Sequence, residues 1–227
     1  MMMRKMVVLW CGLAALLIVS GCRCPMAMVG AEPERGDVPN DAAKVRPILV
    51  GQPLPKIVLR TADNAPFELN AAIAEKPTVL IFFRGGWCPF CSRHLGQLQS
   101  IEAELVELGC QIIAVSPDRP ELLNAPVEKQ QLKYRLLSDS RMTAARALGI
   151  AFRLDDATVE KYKTAYGIDI EADSGQTHHL LPVPSAFVIG RDGVVEFSYV
   201  NPDYKVRIDP GVLLAAARAA VNKPVKN

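Results

Sequence analysis

The segment that most constrains the fold is an apolar run, followed by a Cys-Pro-Phe-Cys sequence and then a helical pattern. Residues 78–84, TVLIFFR, are mostly β-branched and aromatic, which is typical of a strand buried on both faces. After GGWCPF, apolar residues recur at helical spacing as far as Gly109, which predicts one helix, and QIIAVS predicts a second buried strand. Strand, helix and strand in this order predict a βαβ unit with a right-handed crossover. The chain is therefore expected to be an α/β protein.

The two cysteines of this segment would lie where the strand turns into the helix. Pro89 suits the first helical position, because a backbone N–H at that position has no hydrogen-bond partner within the helix. The unpaired N–H groups at this end of the helix would face the sulfur of Cys88 and favour its thiolate. Cys91, one turn further, would be more buried and within reach of that sulfur. The spacing thus predicts a redox dithiol, with Cys88 as nucleophile and Cys91 as resolving thiol; a metal site and inert thiols are the alternatives.

The rest of the chain continues the α/β pattern, and one domain is predicted over residues 47–223. A small N-terminal β-hairpin is expected around TADNA, and a helical insertion in DDATVEKYKTAYGIDI. EADSGQTHHLLP is interpreted as a surface loop, SAFVIGRDGVVEFSYV as a hairpin, and DPGVLLAAARAAV as a final helix.

The first 21 residues are expected to be a signal peptide rather than part of the fold. A short basic region precedes an apolar run that is too short for a comfortable membrane span. VSGC resembles the lipobox of bacterial lipoproteins, which implies lipidation of Cys22; an ordinary signal peptide cut near MVGA is the alternative. Residues 22–46, rich in Pro, Gly and charge, are interpreted as a flexible tether. The protein is thus predicted to be an exported, membrane-anchored lipoprotein facing the periplasm or the cell exterior, where disulfides are permitted.

Charge and the remaining cysteines add little to the functional prediction. Arg4 and Lys5 are the basic residues that precede Cys22, so a chain beginning there would carry 24 basic and 24 acidic side chains. This balance gives no reason to expect a nucleic-acid partner. Cys110, at the start of a predicted strand, is expected to be a buried inert thiol.

Four stretches carry a family resemblance: GQPLPKIVLRTADNAPFEL, VLIFFRGGWCPFC, YRLLSDS and LPVPSAFVIGRDGVVEFSYVNPDYKVR. They resemble the AhpC/TSA family, redoxins of the peroxiredoxin-like type. The resemblance implies a thioredoxin-like fold whose central mixed sheet of four or five strands is flanked by helices.

The active-site pattern departs from peroxiredoxins in three places. Peroxiredoxins have Thr or Ser three residues before the reactive Cys and Pro seven before it, where this chain has Gly85 and Ile81. They also have an Arg on a late strand, where this chain has Pro184. The hydrogen-bonding set of a fast peroxidase is therefore missing, unless Arg84 substitutes for it.

The same segment is also similar to a thioredoxin-type site. WCPFC with a downstream VPS implies that Pro184 is cis and packs against the dithiol. Thioredoxins bury an acid six residues before the first Cys, where this chain has Phe82, so less efficient thiol exchange is expected. Trp87 is expected at the rim of the site, and Arg84 is a candidate to stabilise a thiolate or a sulfenate.

The histidines support a different class of function. Copper-delivery proteins of the Sco type share the implied fold and use two cysteines and a distant His, so Cys88, Cys91 and either His178 or His179 form an alternative Cu(I) site. His94, one turn after Cys91, is expected to be a surface or packing residue.

The sequence therefore predicts an exported thiol-dependent oxidoreductase. Its Cys88–Cys91 pair would reduce hydroperoxides or protein disulfides, and another thiol protein would restore the dithiol. No bound organic cofactor is expected.

Overall fold

The computed structural model describes residues 37–223, all of which belong to one compact unit, Glu32–Asn227. The predicted signal peptide, Cys22 and most of the predicted tether lie outside the described residues. The strands are β1 (Val58–Arg60), β2 (Pro66–Glu68), β3 (Thr78–Phe82), β4 (Gln111–Ser116), β5 (Arg135–Ser138), β6 (Ala151–Arg153), β7 (Leu180–Pro182), β8 (Ser185–Ile189) and β9 (Val195–Val200). The helices are α1 (Leu69–Glu75), α2 (Pro89–Gln99), α3 (Glu102–Glu107), α4 (Asn124–Gln130), α5 (Thr143–Ala147), α6 (Asp156–Tyr166), α7 (Ile170–Ser174) and α8 (Pro210–Val221), and 3-10 turns lie at Ala42–Lys44 and Pro120–Leu122.

The strand β3 lies in the interior of the sheet and is buried along its whole length. It pairs in parallel with β4 and antiparallel with β8, as a buried apolar run predicts. The full strand order is β2-β1-β5-β4-β3-β8-β9, and buried apolar clusters cover the two faces. The predicted mixed sheet flanked by helices is confirmed. It has seven strands rather than four or five, because the N-terminal hairpin β1–β2 joins it where Arg60 pairs with Ser138.

The helix that follows the cysteines ends earlier than the apolar spacing predicts. Instead of one helix to Gly109, α2 ends at Gln99 and α3 begins at Glu102. The N–H and the hydroxyl of Ser100 both donate to the Gln97 carbonyl oxygen, at 3.1 and 2.7 Å. A serine hydroxyl competes with the backbone for such bonds, so the helix tightens and breaks here.

The helix predicted in DDATVEKYKTAYGIDI is confirmed as α6. The segment EADSGQTHHLLP is not the predicted surface loop, because it contains all of α7 except its first residue and the strand β7, which pairs with β6 in a second, two-stranded sheet. Leu180 and Leu181 are buried, so their apolar character reflects packing.

Residues 37–46, the described end of the predicted tether, lie against the domain. The N–H of Arg153 donates to the Pro39 carbonyl oxygen at 2.8 Å, and Asp41 caps the first 3-10 turn through the Ala43 N–H at 2.9 Å. Val38 packs on one face of the sheet. This end of the tether is therefore fixed to the fold rather than free. Within residues 37–223, no helix is long and apolar enough to cross a membrane.

Candidate active site

The two cysteines lie where the sequence predicts, between β3 and α2. Cys88 is the residue before the first turn of α2, and Pro89 occupies the first turn itself. The Cys88 N–H donates to the Gly85 carbonyl oxygen at 3.1 Å, and the Ser92 N–H donates to the Cys88 carbonyl oxygen at 3.0 Å. Cys88 and Cys91 are both free thiols with only 1% of their surface exposed. The loop and the helix thus fix the pair in a closed environment.

The surroundings push the pKa values of the two thiols apart. The thiol of Cys91, which hydrogen-bonds to the Cys88 sulfur, is the largest cause that lowers the pKa of Cys88 to about 6. Burial opposes this shift, while the Cys91 N–H and the charges of Arg84 and Arg207 support it. The pKa of Cys91 is raised, chiefly by burial. Cys88 is therefore the thiolate and Cys91 the thiol near neutral pH, although the Cys91 side chain contributes more than the helix N-terminus does.

Arg207 belongs to the site, and sequence reasoning missed its role. Its Nη2 lies 3.4 Å from the Cys91 sulfur, and Nη1 donates to the carbonyl oxygens of Val206, at 2.9 Å, and Tyr204. Its charge lowers the pKa of both cysteines. The family-like stretch YVNPDYKVR contains this residue, but nothing local in that stretch indicates that it reaches a helix far earlier in the chain.

Arg84 is buried rather than solvated at the end of its strand, with 3% of its surface exposed. Its guanidinium carbon lies 5.1, 5.6 and 4.3 Å from the ring centroids of Trp87, Tyr162 and Tyr204, an arrangement that we call the Arg84 cage. Nη2 donates to the Tyr162 hydroxyl at 2.5 Å, and Nε is buried without a partner. Rings arranged in this way stabilise a cation electrostatically. The positive charge of Arg84 is one of the causes that lower the pKa of Cys88.

Trp87 is half-buried and packs on the apolar clusters on both sides of the loop. Its edge-to-face contact with Tyr162 has a centroid distance of 6.0 Å. The ring closes the loop next to Cys88 and forms one wall of the Arg84 cage, which is consistent with the predicted place at the rim.

The glycine found where peroxiredoxins have Thr or Ser is required by the backbone. Gly85 has φ +147°, and a Cβ there would lie 2.3 Å from Trp87 Nε1 and 2.9 Å from Asp118 Oδ1. A hydroxyl side chain at Gly85 is therefore excluded by Trp87 and Asp118. The hydrogen-bond donors near Cys88 must come from elsewhere in the fold.

Asp118 is a buried acid in the loop after β4 that sequence reasoning also missed. Its Oδ2 accepts hydrogen bonds from the Gly86 N–H at 2.8 Å and from the Ser116 hydroxyl at 2.9 Å. Burial raises the pKa of Asp118 to about 6, against the lowering effect of those two bonds. Since the carboxyl ends of the parallel strands β3 and β4 lie at the same edge of the sheet, the position of Asp118 just after β4 could have indicated that it lies near the loop before Cys88.

Pro184 is buried just before β8, and its carbonyl oxygen accepts from the Asn201 N–H at 3.3 Å. It borders a cavity of about 170 Å³ together with Arg84, Tyr162 and Tyr204. The described residues contain no cis peptide bond. The prediction of a cis bond before Pro184, which the thioredoxin resemblance implies, is therefore wrong. A larger cavity, of about 550 Å³, lies beside the N-terminal segment and contains none of the predicted site residues.

The histidines do not join the cysteines. His178 Nε2 lies 2.8 Å from the Ser140 carbonyl oxygen, and Nδ1 accepts from the Leu180 N–H at 2.9 Å. The ring nitrogens of His179 face Asp156 and Glu171, at 3.1 and 2.8 Å. No group of three His, Cys, Asp or Glu side chains between residues 37 and 223 is placed to hold a metal ion. The structure therefore provides no support for the Cu(I) alternative.

His94 is a packing residue and not a surface one. It is buried in α2, and burial, followed by the charge of Arg207, lowers its pKa to about 4. Its ring is therefore neutral near neutral pH.

A buried thiolate and a neighbouring thiol at the start of a helix beside a mixed sheet define the class of this protein: a thiol-dependent oxidoreductase with a thioredoxin-like fold. The family model described as AhpC/TSA matches residues 50–198, and the chain belongs to this family.

Known proteins of two kinds are similar in sequence. A putative peroxiredoxin bcp of Haemophilus influenzae is 27% identical over 106 residues, which cover 47% of this chain and 68% of that protein. The thiol-disulfide oxidoreductase ResA of Halalkalibacterium halodurans is 29% identical over 101 residues, which cover 44% of this chain and 56% of that protein. The matched regions therefore leave 32% of the first relative and 44% of the second uncovered.

Solved structures confirm the fold. Reduced Prx3 of Vibrio vulnificus in complex with hydrogen peroxide superposes with a TM-score of 0.60 at 22% identity, covering 74% of this chain and 99% of that one. Peroxidoxin BcpB of Mycobacterium tuberculosis superposes with a TM-score of 0.58 at 21% identity, and the superposition covers 75% of this chain and 96% of that one.

Proposed function

We propose that the protein is a hydroperoxide reductase in which Cys88 is the peroxidatic cysteine and Cys91 the resolving cysteine. The observation that carries the proposal is that Cys88 combines a pKa of about 6 with almost complete burial. A small hydroperoxide needs a smaller opening to reach a sulfur enclosed in this way than the disulfide of a folded protein does.

The reaction follows from the two thiols. The Cys88 thiolate attacks the terminal oxygen of the hydroperoxide and the O–O bond breaks, so that Cys88 becomes a sulfenic acid. The alkoxide or hydroxide takes a proton from solvent and leaves as alcohol or water. Cys91 then condenses with the sulfenic acid to form a disulfide and one water. A dithiol reductant returns two electrons and two protons and is itself oxidised to a disulfide.

Thiol–disulfide exchange is the second candidate. The Cys-Pro-Phe-Cys sequence and the similarity to ResA favour it. In that reaction Cys88 would form a mixed disulfide with a partner protein, and Cys91 would resolve it. The burial of both sulfurs requires the loop at Trp87 to move before such a partner reaches Cys88.

A single-turnover experiment separates the two candidates. The reduced full chain is mixed in one sample with stoichiometric hydroperoxide and in another with a disulfide-bonded protein, and free thiols are counted over time. The peroxidase proposal predicts that two thiols are lost at least tenfold faster with the hydroperoxide. Faster loss with the protein disulfide would contradict the proposal and favour exchange.

Cysteine variants test the roles of the individual sulfurs. Cys91→Ser should accumulate a sulfenic acid that a sulfenate-specific reagent traps, whereas Cys88→Ser should not react. Cys110→Ser is the matched control, because Cys110 is also a buried free thiol but its pKa is raised by burial. A sulfenic acid that persists in Cys88→Ser would show that another cysteine reacts.

We also propose that the protein is exported and anchored to a membrane through a lipid on Cys22, which rests on the VSGC sequence after a short apolar run. Mass spectrometry of the mature N-terminus should find an acylated residue 22. Cys22→Ser should move the protein from the membrane fraction to the soluble fraction. A mature chain that begins beyond residue 22 without a lipid would contradict this proposal.

A further inference from the structure

A small cavity adjoins the Arg84 cage. It has a volume of about 170 Å³ and is walled by Phe152, Leu154, Pro184 and Tyr204, with Arg84 and Tyr162 as polar lining. A cavity of about 150 Å³ accommodates a benzene molecule, so this one has room for about six non-hydrogen atoms.

Arg84 is the charged residue that borders the cavity. No ion pair within residues 37–223 joins it to an acidic side chain. Its Nε is buried and has no hydrogen-bond partner. Removing a cation from water is costly, and the surrounding rings and the nearby Cys88 thiolate recover only part of that cost. The cage therefore has a positive charge that a bound anion would stabilise.

Tyr162 supplies a second donor at the same place. Its hydroxyl oxygen accepts from Arg84 Nη2 at 2.5 Å, which leaves the hydroxyl hydrogen to donate. A carboxylate offers two acceptor oxygens, and hydrogen bonds between a guanidinium and a carboxylate are stronger than bonds between neutral groups. The apolar walls suit an aliphatic stem in place of further polar atoms.

We propose that this cavity binds a carboxylate with a short aliphatic stem, held by the charge of the Arg84 guanidinium and by the Tyr162 hydroxyl. The ligand is either a free monocarboxylate or the carboxylate end of a longer molecule. Binding itself does not require Cys88 to react.

The cavity is coupled to the dithiol through the charge of Arg84, and this step rests on the proposed function. The Cys88 thiolate and a bound carboxylate compete for the same cation, because Arg84 also stabilises the thiolate. Oxidation of Cys88 to a disulfide removes the thiolate charge and should strengthen carboxylate binding. By reciprocity, the carboxylate should make the disulfide harder to reduce.

Calorimetric titration with sodium butyrate at constant ionic strength tests the proposal on the full chain. Butyrate should bind saturably, and butyramide, the uncharged counterpart, should bind at least tenfold more weakly. The disulfide form and Cys88→Ser should each bind butyrate at least threefold more tightly than the reduced protein. Equal binding of butyrate and butyramide would overturn the proposal, as would tighter binding of inorganic phosphate than of butyrate.

Three variants locate the site. Arg84→Gln should weaken butyrate binding at least tenfold, and Tyr162→Phe, which keeps the ring, at least threefold. Arg135→Gln is the matched control: Arg135 is exposed and stacks on Phe67 at 4.8 Å, and its loss should leave binding unchanged. Thermal unfolding establishes that each variant folds. If Arg84→Gln does not fold, the binding of butyrate to Tyr162→Phe and the comparison with butyramide test the proposal. Binding that survives in both Arg84→Gln and Tyr162→Phe overturns the proposal.

Failure of the proposed peroxidase function can be distinguished from failure of the carboxylate site. These titrations contain no peroxide, so an inactive peroxidase leaves the carboxylate site intact. If Cys88 is not a thiolate, butyrate still binds, and the reduced protein, the disulfide form and Cys88→Ser bind it equally.

Discussion

Arg207 donates a hydrogen bond to the sulfur of Cys91, over an Nη2–Sγ distance of 3.4 Å and a sequence separation of 116 residues. Burial is the main reason why the pKa of Cys91 is raised, and Arg207 opposes that effect. A resolving cysteine must lose its proton to attack a sulfenic acid or a mixed disulfide. Arg207 therefore stabilises the charge that develops on Cys91 in the second half of the reaction.

Replacing Arg207 with Met should slow the resolving step more than the attack on peroxide. Without the guanidinium, the pKa of Cys91 rises further, and about one pKa unit corresponds to about a tenfold loss in thiolate population. Rapid-mixing experiments with trapping of the sulfenic acid should show that this species accumulates in Arg207→Met. Arg218→Met is the control, because Arg218 is exposed and pairs with Glu104 at 3.5 Å. Unchanged disulfide formation in Arg207→Met would rule out this role.

The acidity of Cys88 should depend more on Cys91 than on Arg84. The hydrogen bond from the Cys91 thiol is the largest cause that lowers the pKa of Cys88 to about 6, and the charge of Arg84 ranks below it. Cys91→Ala should therefore raise the pKa of Cys88 further than Arg84→Gln does. Ultraviolet absorbance of the thiolate measures both shifts. The rate of the wild type with peroxide should rise with pH, reach half its maximum at about pH 6 and level off about one pH unit higher. A larger pKa rise in Arg84→Gln than in Cys91→Ala would show that the charge of Arg84 dominates.

The position of the dithiol could be predicted because its determinants are adjacent in the chain. The apolar run of β3, the glycines of the loop and Pro89 at the first turn of α2 are all local signals. Arg207 and Tyr162 could not be assigned in this way, because the segment between β9 and α8 and the helical insertion bring them to the site from far along the chain. Such contacts depend on tertiary packing, which neither periodicity nor spacing encodes.

The errors in the fold have physical reasons of their own. The break between α2 and α3 comes from the hydroxyl of Ser100, whereas Leu98, Ile101 and Leu105 keep the helical spacing and stay buried. The histidines beside Leu180 gave a polar appearance to a segment that pairs as a strand. Hydrophobic spacing thus located the buried residues correctly and the ends of the elements poorly.

Asp118 should make the protein less stable as the pH rises from about 4 to about 6. Its pKa in the folded state is about 6, against an unfolded value of 3.8, so the folded protein binds more protons in this interval. The free energy of unfolding should therefore fall by about 2 kcal/mol between these two pH values, since one pKa unit corresponds to about 1.4 kcal/mol and half of the folded carboxyls remain protonated at pH 6. Urea unfolding at the two pH values should show that Asp118→Asn removes most of this loss.

A matched carboxylate separates this effect from the general titration of acids. Asp63 is exposed, and its hydrogen bond to the Thr61 hydroxyl lowers its pKa. Asp63→Asn should leave the loss of stability between pH 4 and pH 6 in place. If Asp118→Asn retains the same pH dependence as Asp63→Asn, the Asp118 carboxyl is already ionised at pH 4.

Gly149 tests whether the segment before residue 47 rests against the domain. Its φ is +68°, and a Cβ there would lie 2.0 Å from the Arg46 carbonyl oxygen. Gly149→Ala should therefore combine left-handed strain, about 1–2 kcal/mol, with a backbone clash that only displacement of this segment can relieve. Gly167→Ala is the control, because Gly167 has φ +65° and open space around it. Urea unfolding should show a loss of stability in Gly149→Ala that exceeds the loss in Gly167→Ala by at least about 1 kcal/mol. Equal losses would mean that Arg46 does not pack on Gly149 in solution and that the tether extends further than the structure indicates.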